Sequence, residues 1–586
     1  MPKQYPPETL RHSFAHVIAA AVQKLYPQAQ FGVGPVIENG FYYDIKLPKT
    51  ITESDLAAIA KETTRLISAN IVFTKKEMAI ASAITLFKKK KQPFKVALLN
   101  DLKKKGTTRL SSEEKEMLGA KKVSKVSIYE TGDFVDLCRG PHVASTGDLD
   151  PAAFKLTKIS GAYWRGSEKN PQLTRIYGAA FATNKELDDY VRLQSEIAKR
   201  DHRVLGTALD LFSQHPVAPG AIFWHPKGMI LWRVLEKFIR EKLDESYGEV
   251  STPVMVKQEV FERSGHWEHY RDNMLSLEIE KETYVLKPMN CPESTYIYNS
   301  QLRSWRDLPL RLSEVTDKLH RNEPSGTLGG LFRVRQLSQD DAHIYCREDQ
   351  IETEIKKLVD LTQEIYRVFD LEPSFRLGTK PDEAMGEPAL WKKAEAALMN
   401  IMNNLKKGFE LKPKDGAFYG PKIDMHVKDS LGRDWQLATI QLDFQMPRRF
   451  GLSYIDEKGE KAIPVIIHRA ILGTFERFIG ILIEHYAGAF PMWLAPVQVA
   501  LLPINDKNRE YVAGVAAELK ERGIRVETDE RNESIGKKIR DAELKKIPYL
   551  LVIGDREATA KTVAVRERGK GDLGAKNLDA FIKRVL

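Results

Sequence analysis

The pattern of apolar and polar positions changes character along the 586 residues of the chain. Residues 8–26 carry apolar side chains at helical spacing, and residues 31–44 follow as strand-like sequence punctuated by glycine. Residues 53–118 are typical of helices, and strand-like sequence returns at 124–136. The first third of the chain therefore predicts an α+β domain, followed by a charged linker helix.

The middle and the last part of the chain predict two different kinds of fold. Long helical stretches such as 229–247 and 351–369 alternate irregularly with strand-like stretches such as 422–427 and 462–467, which predicts an α+β fold on a mainly antiparallel sheet. The last part instead predicts a compact α/β unit with a mostly parallel sheet. We therefore predict a multidomain α+β protein with three domains and one linker, over residues 1–182, 183–205, 206–492 and 493–586.

Composition limits the class of protein. Hydrophobic residues make up 42% and charged residues 29%, which is ordinary for a globular protein, and no apolar run approaches the roughly 20 residues of a membrane span. Three cysteines are too few for a disulfide framework, so we expect a cytoplasmic protein without a membrane partner. The formal charge of +10 permits a polyanionic partner.

Three residues with metal-binding side chains lie in segments that carry other chemical groups. Cys291 lies in Lys-Pro-Met-Asn-Cys-Pro, His343 in Gln-Asp-Asp-Ala-His, and His468 in Pro-Val-Ile-Ile-His-Arg. One thiolate and two imidazoles suit a tetrahedral zinc ion whose fourth position stays open to substrate. A structural zinc is the alternative, but such sites use four protein ligands. We predict one Zn²⁺ per subunit.

Two arginine-containing segments, Arg-Asn-Glu-Pro-Ser-Gly at 321–326 and Leu-Phe-Arg-Val-Arg at 331–335, flank a predicted turn. Arginines so placed can bind a carboxylate and a phosphate through bidentate bonds, although an isolated pair is more often a surface ion pair. These segments resemble a signature loop of class II aminoacyl-tRNA synthetases. Residues 247–253 and 473–477 resemble the dimerisation motif and the third motif of the same class.

The sequences around the predicted zinc ligands narrow the resemblance. Asn-Cys-Pro, Asp-Ala-His and His-Arg-Ala, in this order, resemble threonyl-tRNA synthetases, and the resemblance covers nearly the whole chain. It implies a homodimeric ligase that joins L-threonine to tRNA(Thr) through threonyl-adenylate, using ATP with Mg²⁺. It implies an editing domain, an antiparallel-sheet catalytic domain and an α/β anticodon-binding domain. We expect the chain to lack the small ubiquitin-like module that usually precedes the first helix.

The resemblance also implies roles for individual residues. The implied threonine pocket consists of Asp341, Tyr419, Gln441, Lys422, Arg321 and Gln339. The implied ATP subsite consists of Glu323, Arg333 and Arg477. His266 would activate the terminal ribose hydroxyl of the tRNA, a general-base role that suits imidazole. Leu337 stands where the family often has an aromatic residue stacked on adenine, so we expect weaker ATP binding.

Selectivity for threonine explains why such a protein needs two sites. Threonine and valine are nearly isosteric, and an apolar pocket discriminates poorly between them, whereas a zinc ion that takes the hydroxyl as a ligand rejects valine. Serine keeps the hydroxyl, and losing one methyl group changes binding by only ~1–3 kcal/mol. A second site must therefore hydrolyse mischarged Ser-tRNA(Thr).

Two short segments of the predicted N-terminal domain, at 12–16 and 138–142, supply the residues for that second site. His-Ser-Phe-Ala-His places two imidazoles on one helix face, and Cys-Arg-Gly-Pro-His adds a thiol and a third imidazole. The residues are His12, His16, Cys138 and His142. Their spacing alone suggests a four-ligand zinc site, and a metal-bound form stays open. The resemblance implies instead a metal-free pocket in which water is the nucleophile, with Asp136 and Tyr43 in its wall.

RNA contacts are also implied by the resemblance. Asn532, Glu557 and Arg566 match positions that read anticodon bases, although each could belong to an ordinary solvated surface. Two rival interpretations remain. A metallohydrolase built on the histidine cluster leaves the synthetase motifs unexplained. A non-catalytic RNA-binding paralogue would be expected to have lost a motif arginine or a zinc ligand, and all of these are present.

Overall fold

The computed structural model describes residues 5–106 and 124–586, so the part of the predicted helical stretch at 107–118 lies outside the described residues. The chain divides into two compact units, Met1–Ser195 and Glu196–Leu586. Across the described ranges, no helix is long and apolar enough to cross a membrane.

The first unit packs helices against two antiparallel sheets. Its helices are α1 (Pro7–Leu25), α2 (Glu53–Ser68), α3 (Ile80–Lys89) and α4 (Pro93–Lys105). Its strands are β1 (Gln30–Phe31), β2 (Val36–Ile37), β3 (Gly40–Lys46), β4 (Phe73–Ala79), β5 (Lys125–Thr131), β6 (Phe134–Leu137), β7 (Phe154–Tyr163) and β8 (Gln172–Ala180). One sheet has the order β1-β3-β8-β7 with β2 beside β3, and the other has the order β4-β5-β6.

Helix α1 forms where the sequence predicts it. Pro7 occupies the first turn, where its missing N–H costs nothing, and the helix ends before Pro27. Its apolar face, including Phe14 and Ile18, is fully buried in the core of the unit. Strand β4 corrects the prediction that 53–118 is mostly helical, because residues 73–79 pair along their whole length with β5.

A charged helix, α5 (Asn184–Arg200), follows as predicted for the linker. The large unit then begins with helices α6 (His202–Ala208), α7 (Pro226–Lys242), α8 (Gln258–Ser264), α9 (His266–Tyr270), α10 (Cys291–Asn299), α11 (Ile351–Val368), α12 (Pro388–Asn404), α13 (Met446–Arg449) and α14 (Phe475–His485). Its short strands are β9 (Phe212–Ser213), β10 (Phe223–Trp224), β12 (Met255–Lys257), β13 (Leu275–Ile279), β14 (Glu282–Leu286), β15 (Arg303–Ser304), β22 (Tyr454–Ile455) and β23 (Lys461–Ala462).

The central sheet of this unit has the order β11-β16-β17-β24-β21-β20-β18-β19. Its strands are β11 (Tyr247–Glu249), β16 (Leu310–His320), β17 (Gln336–Cys346), β18 (Pro373–Gly378), β19 (Phe409–Lys412), β20 (Lys422–Lys428), β21 (Asp434–Asp443) and β24 (Val465–Thr474). The interior pairs are antiparallel and both edge strands are parallel to their neighbours, which confirms the predicted sheet type.

Two predicted elements of this unit have different bounds in the structure. The helix predicted at 229–247 begins earlier, at Pro226, and ends at Lys242, because residues 247–249 pair with β16 as an edge strand. The strand predicted at 462–467 is split into β23 and the longer β24. One face of the sheet carries the apolar core with α11 and α14, which include Ile355 and Phe478.

The C-terminal part is a five-stranded unit with helices on it. Its elements are β25 (Val499–Pro503), α15 (Arg509–Glu521), β26 (Val526–Thr528), α16 (Ile535–Leu544), β27 (Tyr549–Ile553), α17 (Asp555–Ala560), β28 (Thr562–Glu567), β29 (Gly571–Asn577) and α18 (Leu578–Val585). Strands β26, β25 and β27 are parallel, but β28 and β29 are antiparallel additions. The predicted mostly parallel sheet is therefore mixed.

Candidate functional site

The central sheet brings the predicted site residues into rows on one face. His343 of β17 lies opposite His468 of β24, and His468 lies opposite Gln441 of β21. Lys422 of β20 lies opposite Gln441 and extends the row. Asp341 belongs to the neighbouring row on the same face, because side chains two residues apart on a strand point the same way.

The predicted zinc ligands meet at this row. Cys291 is the first residue of α10, and it is buried together with His343 and His468. The potential ligand atoms of the three residues lie within 4.8 Å of one another, and the two imidazole rings are 5.0 Å apart and nearly perpendicular. Burial, followed by the charge of Asp341, raises the pKa of the Cys291 thiol well above its usual value. A cation bound here would instead stabilise the thiolate.

Asp443 fixes one of these histidines and was missed in the sequence. His468 Nε2–H donates to Asp443 Oδ2 at 3.1 Å, while Asp443 Oδ1 accepts the backbone N–H groups of Gln445 and Met446. His468 Nδ1 is buried without a hydrogen-bond partner among the described residues. A free lone pair on a ring oriented by a carboxylate is the arrangement found at metal-ligating histidines, so the residues fit a zinc ion.

Polar side chains border the zinc set. Asn290 Nδ2 donates to Asp341 Oδ2 at 3.1 Å, and the Tyr419 hydroxyl donates to Gln441 Oε1. Asp341 and Tyr419 are both buried. The Lys422 ammonium pairs with two carboxylates, Asp424 at 2.5 Å and Asp415 at 3.4 Å. The predicted pocket residues thus surround a point beside the ligand set.

His266 lies beside the three candidate ligands, as the first residue of α9, and its ring is 6.1 Å from that of Tyr419. It is fully buried, and its Nε2 is 3.9 Å from Cys291 Sγ. Its Nδ1 lies 2.8 Å from Ser264 Oγ. Burial, followed by the charge of His468, lowers the pKa of His266 to about 3, so the imidazole is neutral at physiological pH.

Three arginines form the other end of the site. Arg321 follows β16, Arg333 lies in the loop to β17, and Arg477 lies in the first turn of α14. Burial lowers the pKa of Arg477, and the positive charges of Arg321 and Arg333 lower it further. Arg321 Nε is buried and has no hydrogen-bond partner within the described chain. Neighbouring guanidinium groups with free donors suit a ligand that carries several negative charges.

The remaining predicted residues of this region are also placed by the structure. Arg333 Nε pairs with Glu323 Oε2 at 2.8 Å, and Gln339 lies opposite Thr474 in the β17–β24 pairing. Leu337 is buried in a small apolar cluster with Leu319.

The first unit brings the predicted histidine cluster together. Cys138 Sγ lies 3.3 Å from Nε2 of both His12 and His142. The His16 ring is 4.2 Å from the His142 ring, and the four potential ligand atoms of the cluster lie within 4.8 Å of one another. A cavity of ≈ 660 Å³ adjoins the cluster and is lined by His12, His16 and Cys138, among others.

Burial keeps this cluster uncharged. It lowers the pKa of His12, lowers that of His16 well below its usual value, and lowers that of His142 to about 2, with neighbouring imidazoles adding to the effect on His142. Burial also raises the pKa of Cys138 to about 12. The cluster therefore offers neutral imidazoles and a thiol at neutral pH.

Lys95 belongs to the same buried cluster, and the sequence interpretation missed it. It is 3% exposed, pairs with Asp136, and donates to the Tyr43 hydroxyl at 3.2 Å. The Tyr43 hydroxyl donates to the other oxygen of Asp136, and His16 Nε2 is 3.6 Å from that oxygen. The predicted wall residues thus form one buried network with a lysine. A lysine within the helix Pro93–Lys105 gave no sequence signal of burial.

The predicted anticodon residues do not lie at one place. Asn532 and Glu557 follow the C-terminal ends of β26 and β27, whereas Arg566 pairs with Leu550 near the N-terminal end of β27. Asn532 is exposed, and Glu557 Oε2 accepts the backbone N–H of Gly554 at 2.8 Å. Arg566 lines a cavity of ≈ 490 Å³.

Comparison with known families gives the class of protein. The model of the tRNA synthetase class II core domain (G, H, P, S and T) matches residues 275–486, and that of the anticodon binding domain matches residues 498–586. The model of the threonyl and alanyl tRNA synthetase second additional domain matches residues 126–177. The fold and the matches define a class II aminoacyl-tRNA synthetase with an editing domain.

Individual relatives give the family. The threonine–tRNA ligase of Clostridium acetobutylicum is 47% identical over 578 residues, which cover 98% of this chain and 87% of the relative. Threonine–tRNA ligase 2 of Bacillus subtilis is 48% identical over 563 residues, covering 96% of this chain and 85% of the relative. The crystal structure of the RNA binding domain of threonyl-tRNA synthetase from Cryptosporidium parvum is 42% identical, with a TM-score of 0.64, and the match covers 66% of this chain and 97% of that chain. The chain belongs to the threonyl-tRNA synthetase family.

Substitution of Asp443 tests whether its carboxylate orients His468 for zinc binding. Asp443→Ala removes the carboxylate that orients His468, and we expect zinc affinity to fall by about 10–100-fold. Asp443→Asn keeps an oxygen that can accept the Nε2–H, so it should lose less. Competition with a chromogenic chelator on the full-length chain measures both values. Equal zinc affinity for the alanine variant and the unaltered protein would refute the role of Asp443.

Proposed function

We propose that the large unit activates L-threonine with ATP and transfers it to tRNA(Thr), and that a zinc ion held by Cys291, His343 and His468 selects the amino acid. The observation that carries this proposal is the buried ligand set beside Asp341, with the arginines of the same site at its other end. The family relationship supports tRNA charging with ATP and Mg²⁺.

The first step needs a carboxylate and a phosphate in contact. We assign Arg321 and Gln339 to the threonine carboxylate, since Arg321 keeps an unpaired Nε in the site. Glu323, Arg333 and Arg477 bind ATP. Mg²⁺ accompanies the nucleotide and neutralises phosphate charge. Attack of the carboxylate oxygen on the α-phosphorus then forms threonyl-adenylate and releases pyrophosphate.

Selection of threonine takes place at the opposite end. A zinc ion held by Cys291, His343 and His468 would offer coordination to the amino group and to the hydroxyl of threonine, and valine lacks the hydroxyl. Asp341, held by Asn290, accepts the hydroxyl proton as a hydrogen bond. Tyr419 and Gln441, which are bonded to each other, line the amino-group side, and Lys422 stands at the pocket edge.

Transfer to the tRNA requires a base near the adenylate. We assign this role to His266, whose ring is neutral and lies beside the zinc set. A neutral imidazole can accept the proton of the terminal ribose hydroxyl as that oxygen attacks the threonyl carbonyl, and AMP leaves.

The first unit removes serine from mischarged tRNA. The ester of Ser-tRNA(Thr) enters the ≈ 660 Å³ cavity, where the neutral rings of His12 and His16 orient a water for attack on its carbonyl. The ester bond to the ribose oxygen breaks, the ribose oxygen takes the proton, and serine and free tRNA leave. His142 packs against both rings and holds them in place. Lys95, Asp136 and Tyr43 form the fixed wall of this pocket. We treat the cluster as metal-free.

Other expectations stay predictions. They comprise the domain boundaries at 182, 205 and 492, the homodimer, the cytoplasmic location and the reading of anticodon bases by Asn532, Glu557 and Arg566. The exposed position of Asn532 is compatible with base contacts.

Threonine-dependent exchange of pyrophosphate into ATP tests the synthetic site. We expect about one zinc ion per chain, exchange with threonine and serine, and none with valine. Cys291→Ala should lose the zinc and at least 10-fold of the threonine-dependent exchange, since removing a ligand costs no less than removing a residue that orients one. Metal analysis and exchange rates are measured together.

Cys346→Ala is the matched control for Cys291→Ala. Cys346 is fully buried at the end of β17 and lies outside the ligand set. Its substitution should leave the zinc content unchanged. Exchange that persists in Cys291→Ala, or that accepts valine in the zinc-loaded protein, would overturn zinc-based selection.

Lys95→Met tests the editing pocket. Removing the ammonium leaves Asp136 and Tyr43 without their shared partner, and we expect Ser-tRNA deacylation to fall by roughly 100-fold, the lower range for a lost catalytic contact. Threonine-dependent exchange should stay unchanged. Lys125→Met, at an exposed residue lining the same cavity, is the control. Undiminished deacylation by Lys95→Met and by His16→Ala, with and without chelator, would refute the assignment.

The pH dependence of deacylation tests the neutral cluster. Because burial lowers the pKa of all three histidines, the rings should stay neutral as the pH falls below their usual value. We expect deacylation to decline less between pH 7.5 and 5.5 than the roughly tenfold loss of a base of ordinary pKa. Spontaneous hydrolysis is measured without enzyme and subtracted. A decline with its midpoint near pH 6.5 would contradict the buried, neutral rings.

A further inference from the structure

His202 lies outside every motif assigned above, yet it contacts the nucleotide end of the site. It is the first residue of α6 and is 3% exposed. Its ring Nε2 accepts the backbone N–H of Leu331 at 2.9 Å, and its ring Nδ1 donates to Glu484 Oε1 at 2.7 Å. The backbone N–H of His202 donates to the same carboxylate oxygen at 2.9 Å.

These bonds exclude a metal at this place. Asp201, His202 and Glu484 come close enough to hold an ion. A ligating imidazole must offer a lone pair, however, and the lone pair of His202 already accepts the Leu331 N–H. The ring is therefore a neutral connector between a loop and a helix.

The loop side of this connection is the segment that precedes Arg333. Gly330 has a φ of +57°, and a Cβ atom on it would lie 2.1 Å from His202 Nε2, so the backbone passes directly over the ring. The Phe332 ring lies 4.1 Å from the His202 ring and 4.5 Å from that of Trp435. The backbone of residues 330–332 is thus fixed from both sides.

The helix side of the connection is α14. Glu484 stands in its last turn, 2% exposed, and its second oxygen pairs with Arg433. The same helix carries Arg477 in its first turn, and Arg477 Nε donates to the carbonyl of Phe332 at 3.2 Å. His202 therefore ties together the two elements that carry Arg333 and Arg477.

We propose that His202 is a positioning residue for the nucleotide subsite, which holds the loop of Arg333 against the helix of Arg477 and so sets the affinity for ATP. The proposal rests on the assignment of these two arginines to ATP. Like charges separate unless the backbone that carries them is held, and the positive charges of Arg321 and Arg333 already lower the pKa of Arg477. A loop freed from His202 would let the guanidinium groups move apart before ATP arrives.

Two substitutions separate the two bonds of the ring. In His202→Asn the amide can still donate to Glu484 but does not reach Leu331, whereas in His202→Gln the longer amide can accept the Leu331 N–H. In threonine-dependent ATP–pyrophosphate exchange, we expect His202→Asn to raise the KM for ATP roughly tenfold, the effect of one lost hydrogen bond. The KM for threonine should stay within about twofold, and His202→Gln should recover part of the ATP affinity.

A second pair of variants changes the loop that His202 contacts. It tests the proposal even if the His202 variants do not fold. Gly330→Ala places a methyl group against the ring, so it should raise the KM for ATP in the same way. Gly329→Ala, in the same loop, and Gly459→Ala, at a positive φ like that of Gly330, are its controls, because a Cβ at either would meet no atom of the described residues within 4 Å. His225→Asn, at a histidine bonded to Asp210, is the control for the histidine substitution.

The outcomes distinguish this inference from the proposed function. If Arg333→Ala and Arg477→Ala raise the KM for ATP but His202→Asn and Gly330→Ala do not, the positioning role is wrong and the subsite stands. If His202→Asn changes the KM for threonine and ATP equally, His202 supports the fold in general and the inference also fails. Absence of threonine-dependent exchange in the unaltered protein would instead refute the proposed function itself.

Discussion

The pairing register of β17, β24 and β21 is the constraint on which the synthetic site depends. His343, His468 and Gln441 lie opposite one another on adjacent strands. Ile344 and Ile467, which neighbour the two histidines in sequence, point to the other face and fill the apolar core. A slip of one residue would turn both histidines into that core and expose the isoleucines. The apolar packing on one face therefore enforces the ligand geometry on the other.

The charges of the large unit are arranged along this face. Carboxylates such as Asp341 and Asp443 lie at the zinc end, and guanidinium groups lie at the other end. Lys287, four residues before Cys291, is fully buried, with its Nζ 3.0 Å from Glu314 Oε1 and 2.8 Å from Thr252 Oγ1. Since buried ions need partners, these bonds fix the start of the segment that leads to Cys291. The polarity suits a substrate with an amino group and hydroxyl at one end and a carboxylate and phosphates at the other.

The sequence predicted the candidate ligands better than it predicted the residues that hold them in place. The cysteine and histidines carry their chemistry in their residue type, so they could be singled out, and the helices α1 and α11 follow their apolar periodicity. Asp443 had one available signal, its position two residues after Gln441 on a predicted strand. No sequence signal singled out Lys95 or His202, because the burial of each depends on elements distant in sequence. Strand β4 was missed for a similar reason: five of the seven residues at 73–79 are exposed and three are charged, and pairing with β5 makes them a strand.

The two proposed sites divide selection according to a physical asymmetry. A ligand that lacks a methyl group still enters the pocket and loses only ~1–3 kcal/mol of binding, whereas a ligand with an additional methyl must displace packed side chains and is excluded where they cannot yield. In the proposed mechanism the zinc end rejects valine because the hydroxyl is a ligand, and it does not reject the smaller serine. A hydrolytic pocket has the opposite capacity, provided that its wall does not yield. Lys95, Asp136 and Tyr43 bond to one another at 4% exposure or less, so we expect this proposed wall to resist displacement by a threonyl methyl.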